Sequence, residues 1–361
     1  MSQEAELGGQ HCPLPRTDSS RVLLGHGSGG RMSADLLQAV FLPRFSNDIL
    51  SALEDQATLN WPGPAATSPA GAPRLAFTTD AFVVKPLFFP GGDIGRLAVF
   101  GTVNDLAVGG AVPQYLSAAF ILEEGLPLDV LHRVVASMQQ ACAASGVQLV
   151  AGDTKVVDRG KADQVFITTT GIGIVPAGRQ LSVRAAQPGD RVLLSGTLGD
   201  HGMAVMSVRE GLEFETELLS DAAPLHDLTQ RILATCSGVR CMRDPTRGGL
   251  ASALNELAAA SRVGVRIDER SLPVRTEVRA ACELLGLDPL YVANEGKLIA
   301  VVPEADADRL LDAVRAHPMG VRAAIIGQVV ADHPGVVVLR TRIGGERIVS
   351  LLAGEQLPRI C

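Results

Sequence analysis

Four aspartates in the first half of the chain stand where a lone carboxylate is costly. Asp55 lies in "EDQA", Asp80 in "TTD", Asp105 in "ND" and Asp153 in "GDTK", each at an element end or within an apolar face. A charge withdrawn from water needs a compensating partner. Hard cations such as Mg²⁺ take oxygen ligands and bridge to nucleotide phosphates. Several aspartates with glycine turns and one lysine, Lys155, therefore suit a Mg–ATP site, and Asn104 beside Asp105 joins them as a cofactor-binding candidate. The plainer reading makes each aspartate a helix cap or a turn residue.

The second half adds "DPTRGGLASALNELAAA". Asp244 and Pro245 start a turn, Thr246 can cap, and Gly248 and Gly249 let backbone N–H groups approach an anion at a helix start. A simple helix entry explains the same residues. Glu295, in "ANEGKLIAVV", stands between a small turn and a strand, as a general base or as a surface partner of Lys297. The sequence closes on "LPRIC", with a thiol at Cys361. That cysteine does not form a prenylation box, and a neighbouring carboxylate disfavours its thiolate.

Other patterns exclude chemistry. "HGSGG" is neither a P-loop nor a dinucleotide fingerprint. The seven histidines show no helical metal-ligand spacing, and Cys236 and Cys241 lack a second pair for zinc. The six cysteines read as reduced thiols of a cytoplasmic protein. With 4% aromatic residues, a net charge of −7 and no basic run, no nucleic-acid groove is expected. No apolar stretch approaches a membrane span, and the opening "MSQEAELGGQHCPLPRTDSS" lacks the apolar core of a secretory signal.

The elements that must position these residues alternate between helix and strand. Strands are expected in "RLAFTTD", ending at Asp80, in "QYLSAAFILEE", in "VQLVAGDTKVV" as a buried strand followed by a polar turn, and in "QVFITTTGIGIV". Helices are expected in "GGDIGRLAVFGTVNDLAVGGA" and "LDVLHRVVASMQQACAAS". The pattern restarts at "QPGDRVLLSGTLGDHG", with helices near 200–210, 225–236, 247–260 and 304–315 and strands near 263–268, 298–303 and 323–340. The fold class is α/β (α+β) in two domains, 21–180 and 186–345, with an N-terminal extension at 1–20 and a mobile tail at 346–361. Residues 60–73 are Pro/Ala/Gly-rich and read as a surface loop.

Taken together, "HGSGGR", "EDQA", "TTDAFVVKPLFFPGGDIG", "GTVNDLAVGGAVPQYLSAAFILEEG", "GDTKVV", "DPTRGGLA", "NEGKL" and "PRIC" closely resemble the HypE family of carbamoyl dehydratases, within the PurM-like superfamily. The resemblance runs from about residue 21 to Cys361. It implies a PurM-like fold whose first-domain sheets pair in a homodimer. It also implies that Cys361 carries a carbamoyl group loaded by a HypF carbamoyltransferase. ATP would drive dehydration to a thiocyanate, and the cyano group would pass to iron on a HypC–HypD scaffold.

Asp55, Asp80, Asp105 and Asp153 become the candidates for Mg²⁺ and phosphate positioning. Lys155 would neutralise developing charge or orient the thiocarbamate oxygen, and Glu295 would accept a proton from the substrate nitrogen. Pro358 would limit backbone freedom just before the cysteine. Two rivals stay open. One is another PurM-like enzyme acting on a diffusible substrate, such as a selenophosphate synthetase, a thiamine-phosphate kinase or an aminoimidazole ribotide synthetase. The other is a carrier without catalysis.

Overall fold

The computed structural model describes residues 21–45, 47–60, 72–211, 218–352, 357 and 359–361. The expected extension at 1–20, nearly all of the 60–73 loop and Pro358 lie outside the described residues.

The chain opens with helix α1 (Arg31–Leu36), a π-helical turn (Leu37–Phe41) and α2 (Leu42–Phe45). Then follow β1 (Ala57–Asn60), β2 (Arg74–Phe82), a small hairpin of β3 (Phe88–Phe89) and β4 (Gly92–Asp93), and α3 (Ile94–Val108). The first unit is completed by β5 (Val112–Glu123), α4 (Leu128–Ser145), β6 (Gln148–Val157) and β7 (Val165–Val175). Its sheet has the order β1-β2-β7-β5-β6, with only β5 and β6 parallel. A parallel pair needs a long crossover, and α4 supplies it.

The second unit runs β8 (Arg191–Leu194), α5 (Asp200–Arg209), α6 (His226–Thr235), β9 (Cys241–Arg243), α7 (Gly249–Ser261) and β10 (Gly264–Asp268). It continues with α8 (Thr276–Leu285), β11 (Ile299–Val302), α9 (Glu304–Arg315), β12 (Ala324–Val330), β13 (Val337–Arg340) and β14 (Glu346–Val349). These strands form a sheet of order β14-β13-β10-β12-β8-β11-β9. The unbroken apolar run of β11 suits its place between β8 and β9, buried on both faces.

Helix α3 joins the two units. Every residue in it except Arg96 and Asp105 is buried, so it must be covered all round. It packs on β2, β7 and β5 of the first sheet, and on α4, α6 and β9. Its start is set by Asp93, whose Oδ1 accepts from the N–H groups of Gly95 (2.8 Å) and Arg96 (3.1 Å). The other carboxylate oxygen of Asp93 accepts from Ser137 Oγ on α4 at 2.5 Å, so one cap fixes both the helix end and its neighbour.

Several expectations need correction. Residues 148–157 form one ten-residue strand through "GDTK", with no turn, and it is exposed rather than buried. Leu149, Val150 and Val156 gave it the look of a core strand, but β6 is an edge strand and stays exposed among the described residues. β2 continues past Asp80 to Phe82, because its pairing with β7 continues to Ile167. The 323–340 stretch divides into β12 and β13, and α8, β1 and β9 were not foreseen. The expected tail began at 346, yet Glu346–Val349 pair with β13 and Val349 is fully buried. The segment free of the sheet therefore starts after Val349.

Asp93→Ala removes a cap and leaves the buried Ser137 hydroxyl unpaired. Urea unfolding should show a loss of about 1–2 kcal/mol. An unchanged midpoint would mean that α3 is held by packing alone.

Candidate active site

The strand alternation of β2 turns Ala76, Thr78, Asp80 and Phe82 to the side that packs on α3. Thr78 Oγ1 donates to Asp105 Oδ2 at 2.9 Å, which brings the polar residue of α3 against β2. Asp55, just before β1, meets Arg243 of β9 at 3.1 Å. Arg243 also pairs with Glu256 on α7. Asp244 follows directly, so Asp55, Asp80, Asp105 and Asp244 converge from four segments.

Their electrostatics follow from that crowding. Burial pushes the Asp55 carboxyl up to about 8, with Asp244, Glu256 and Glu54 adding to the rise and Arg243 opposing it. Burial likewise carries Asp244 to about 6, against the pull of Arg243. Asp105 is raised by burial and then by Asp80, Asp244 and Asp55. Asp80 is raised by burial and held down in part by Arg247. A half-buried set of oxygen donors that repel one another is suited to a hard cation and its phosphate ligands.

The 244–249 turn supplies the floor. Gly249 has φ +60° and an added Cβ would stand 2.6 Å from Leu290 O, so only glycine fits there. The N-cap of α7 is Gly248, with no side-chain cap; Thr246, expected to cap, instead accepts at its carbonyl from Gly249 N–H (2.9 Å). The glycine loop 25–30 lies over this turn. Arg247 Nη1 donates to Gly27 O at 3.2 Å, and Ser252 Oγ donates to Gly29 O at 3.0 Å.

Cys361 sits beside this cluster. Val83 N–H donates to Cys361 O (3.0 Å) and Lys85 N–H to Arg359 O (3.2 Å), so the backbone of segment 359–361 is tied along 83–85. Ile360 is buried in the core cluster with Phe89, Met203 and Val292. Arg209 Nη2 donates to Arg359 O at 2.7 Å, and the Arg359 side chain pairs with Asp163. Burial, with Glu295 and then Asp80 near the Cys361 thiol, pushes the thiol up while Arg247 opposes. The pocket does not make a thiolate nucleophile of Cys361.

Glu295 is 4% exposed, and its Oε1 has no hydrogen-bond partner. Burial, then Asp244, Asp221 and Asp80, raise it well above the carboxylate range. Its backbone N–H donates to Asp221 Oδ1 at 3.1 Å, and Lys297 is ion-paired with Asp221 at 2.9 Å. The surface pairing of Glu295 with Lys297, the cheaper sequence reading, is therefore absent here.

Cavities connect the parts. One of about 190 Å³ is lined by Val83, Ala293, Leu357, Ile360 and Cys361. A second, of about 310 Å³, is lined by Asp55, Asp105, Asp244 and Arg243. Gly27 and Arg247 line both. The acidic cavity also shares Gly29, Ser33, Arg243 and Glu256 with a larger cavity of about 990 Å³.

Three expected site residues are not brought there. Asn104 is buried, but its amide donates to Ala223 O (3.1 Å) and Glu295 O (3.2 Å) and its carbonyl accepts from Leu225 N–H (2.8 Å). Both of its N–H donors are committed, so it ties Glu295 to the 223–225 backbone. Asp153 and Lys155 lie on exposed β6, 65% and 72% exposed, ion-paired with each other at 2.9 Å. Among the described residues, no three His, Cys, Asp or Glu side chains are close enough as they stand to hold a metal. Arg243 spans Asp55 and Glu256 instead. Sequence reasoning missed Arg243 and Arg247; both were visible in "RDPTRGG", but their value appears only once the carboxylates they face are known.

The chain matches the family models "AIR synthase related protein, N-terminal domain" over residues 54–175 and "AIR synthase related protein, C-terminal domain" over 187–340. It is 56% identical to the carbamoyl dehydratase HypE of Cupriavidus necator, over 100% of both chains. Among solved structures it resembles HypE from a HypE–HypF complex, with a TM-score of 0.81 and 46% identity over 88% of this chain and 99% of that one. It also resembles HypE in complex with ATP, with a TM-score of 0.78 and 49% identity over 94% of this chain and 100% of that one. The half-buried acid cluster, the docked thiol and these relatives agree: the chain belongs to the HypE family of carbamoyl dehydratases.

Proposed function

We propose that this chain uses ATP to dehydrate a carbamoyl group carried on the Cys361 sulfur, turning a thiocarbamate into a thiocyanate that supplies the cyanide ligands of [NiFe]-hydrogenase iron. The observation that carries the reading is the Cys361 thiol against Glu295, in a cavity joined through Arg247 and Gly27 to the acidic one. A diffusible-substrate enzyme would have no use for a thiol docked there.

ATP is the second substrate, with its triphosphate in the acidic cavity and its base in the larger cavity that adjoins it. Asp55, Asp80, Asp105 and Asp244 would hold Mg²⁺, which neutralises phosphate charge when bound. The carbamoyl oxygen attacks the γ-phosphorus and the bond to the ADP oxygen breaks. One N–H proton leaves as the oxygen is phosphorylated. The second leaves as the C–O bond breaks, releasing phosphate and closing the C≡N bond. Glu295, as the carboxylate, accepts the first proton and the departing phosphate carries off the second; a carboxyl raised by burial is a stronger base than an exposed one. The remaining task is positioning and charge neutralisation.

Asp153 and Lys155 enter through a homodimer. The outer face of the first sheet carries exposed Phe77, Val112, Tyr115, Ile121 and Ile174, and the register sets Asp153 and Lys155 of β6 on that face beside Ala119 and Ile121. Such a contiguous apolar face suits a second copy of the chain. In that dimer β6 offers Lys155 and Asp153 to the partner's site. Burial of Ile360 requires segment 359–361 to leave its groove so that a HypF-like carbamoyltransferase can load the thiol and a HypC–HypD scaffold can take the cyano group. No helix among the described residues is long and apolar enough to cross a membrane, and the five described cysteines are free, in keeping with the cytoplasm.

Intact-protein mass spectrometry of the chain carbamoylated at Cys361 tests the reaction. The adduct should lose the mass of one water only with Mg–ATP, and a Cys361→Ala chain should show no change. An adduct that persists in an ATP-binding chain moves the small-substrate relatives forward.

Glu295→Gln should abolish dehydration while ATP still binds. Lys155→Ala should do the same, and co-expressing the two variants should restore part of the turnover through mixed dimers. No recovery would place Lys155 outside the partner's site.

Asp105→Asn relieves repulsion among the half-buried carboxyls. The nucleotide-free chain should melt roughly 2–4 °C higher, and calorimetry should show Mg–ATP binding weakened at least about tenfold. Unchanged affinity would remove Asp105 from the nucleotide site.

A further inference from the structure

His201 lies outside both the nucleotide cavity and the residues assigned above, yet it is fully buried and touches the segment that carries the thiol. Its Nε2 is 2.8 Å from Ile360 O, and its Nδ1 is 2.8 Å from Ser220 Oγ. A carbonyl oxygen only accepts, so Nε2 carries the proton and Nδ1 accepts from the Ser220 hydroxyl. Burial favours this neutral ring. The ring is held edge-on to Phe89, with centroids 5.4 Å apart and planes at 83°.

The geometry around segment 359–361 gives this bond a particular task. The carbonyls of Arg359 and Cys361 face the N–H groups of Lys85 and Val83, although Arg359 stands at φ +51° and the segment is not a regular strand. The carbonyl between them, on Ile360, faces the opposite way, and His201 meets it. A backbone ladder by itself repeats every two residues and tolerates slippage. A side-chain donor on the far edge, together with the buried Ile360 side chain, does not.

The same support reaches the proton acceptor. Ser220 orients His201 and is itself anchored by its N–H to Pro90 O at 2.8 Å. The next residue, Asp221, accepts from Glu295 N–H at 3.1 Å and from Lys297 Nζ at 2.9 Å. Two adjacent residues therefore hold the thiol-bearing segment on one side and the Glu295 backbone on the other.

We infer that His201, oriented by Ser220, is the positioning residue that sets the register of segment 359–361 and so places the Cys361 sulfur against Glu295. The inference rests on the dehydration reading for its kinetic consequence, and its first test does not need that reading.

The test compares the full-length chain with His201→Phe, His201→Gln and Ser220→Ala. Iodoacetamide labelling of Cys361 without nucleotide is followed by peptide mass spectrometry. His201→Phe should label about tenfold faster, the size expected for losing one buried hydrogen bond. His201→Gln keeps an N–H donor and should return towards the parent rate. Ser220→Ala frees the ring to take the other tautomer and should label faster than the parent.

In the carbamoylated chain, His201→Phe should lower kcat for dehydration with KM for ATP unchanged, and His201→Gln should recover much of it. Parental labelling in a folded His201→Phe chain overturns the inference. If that variant does not fold, parental labelling in Ser220→Ala overturns it, and faster labelling supports it. Labelling requires neither ATP nor turnover, so failure of the dehydratase reading would leave this result interpretable.

Discussion

Five carboxyl groups, half-buried at Asp55, Asp80, Asp105 and Asp244 and buried at Glu295, crowd around two guanidinium groups, and much of the molecule is arranged to tolerate that imbalance. Arg243 is committed to Asp55 and Glu256. Arg247 faces Asp80, Glu295 and the Cys361 sulfur together. Desolvation first, and the neighbouring carboxyls after it, lift these groups against the pull of Arg243, with Asp55 near 8 and Asp244 near 6. A fold selected only for stability would replace such groups with apolar ones. Keeping them here costs stability in the empty protein and leaves a cavity ready for cationic and phosphate ligands.

Around that cluster the structure separates two duties. The acids that follow β9 or lie on β2 and α3 gather toward the acidic cavity. Residues 83–85, Arg209, Asp163 and the buried histidine of α5 hold the substrate-bearing segment, largely through its backbone. Asn104 bridges the duties from α3, since it fixes Glu295 O and the 223–225 backbone at once. The site is thus assembled across both sheets, and α3 is the rigid member common to them.

What could be read from the sequence follows from how local each signal is. Carboxylates in apolar settings stand out in a one-dimensional string, so Asp55, Asp80, Asp105 and Glu295 were recognisable as candidates. Periodicity located α3, α4 and α9 because each carries a long patterned face. Asp153 and Lys155 looked like site residues by the same logic, but edge placement on β6 separates them from the acids of their own chain. The apolar residues of β6 suggested burial for the same reason, and the edge position leaves them exposed among the described residues. Asn104 was recognisable as buried polar, while its role depended on partners as far as 191 residues away. His201 gave no signal, because its partner is a backbone carbonyl 159 residues distant.

The docking of Cys361 as part of the chain has a kinetic consequence. A tethered substrate is present at an effective concentration set by the length and stiffness of its tether, of millimolar order for short flexible linkers. Dehydration is then intramolecular: it has no Michaelis constant for the carbamoyl group, and dilution does not slow it. Each molecule turns over once per loading, so throughput is governed by how often partners exchange the group on Cys361. The protein's flux is set by encounters, and its chemistry need only outpace them.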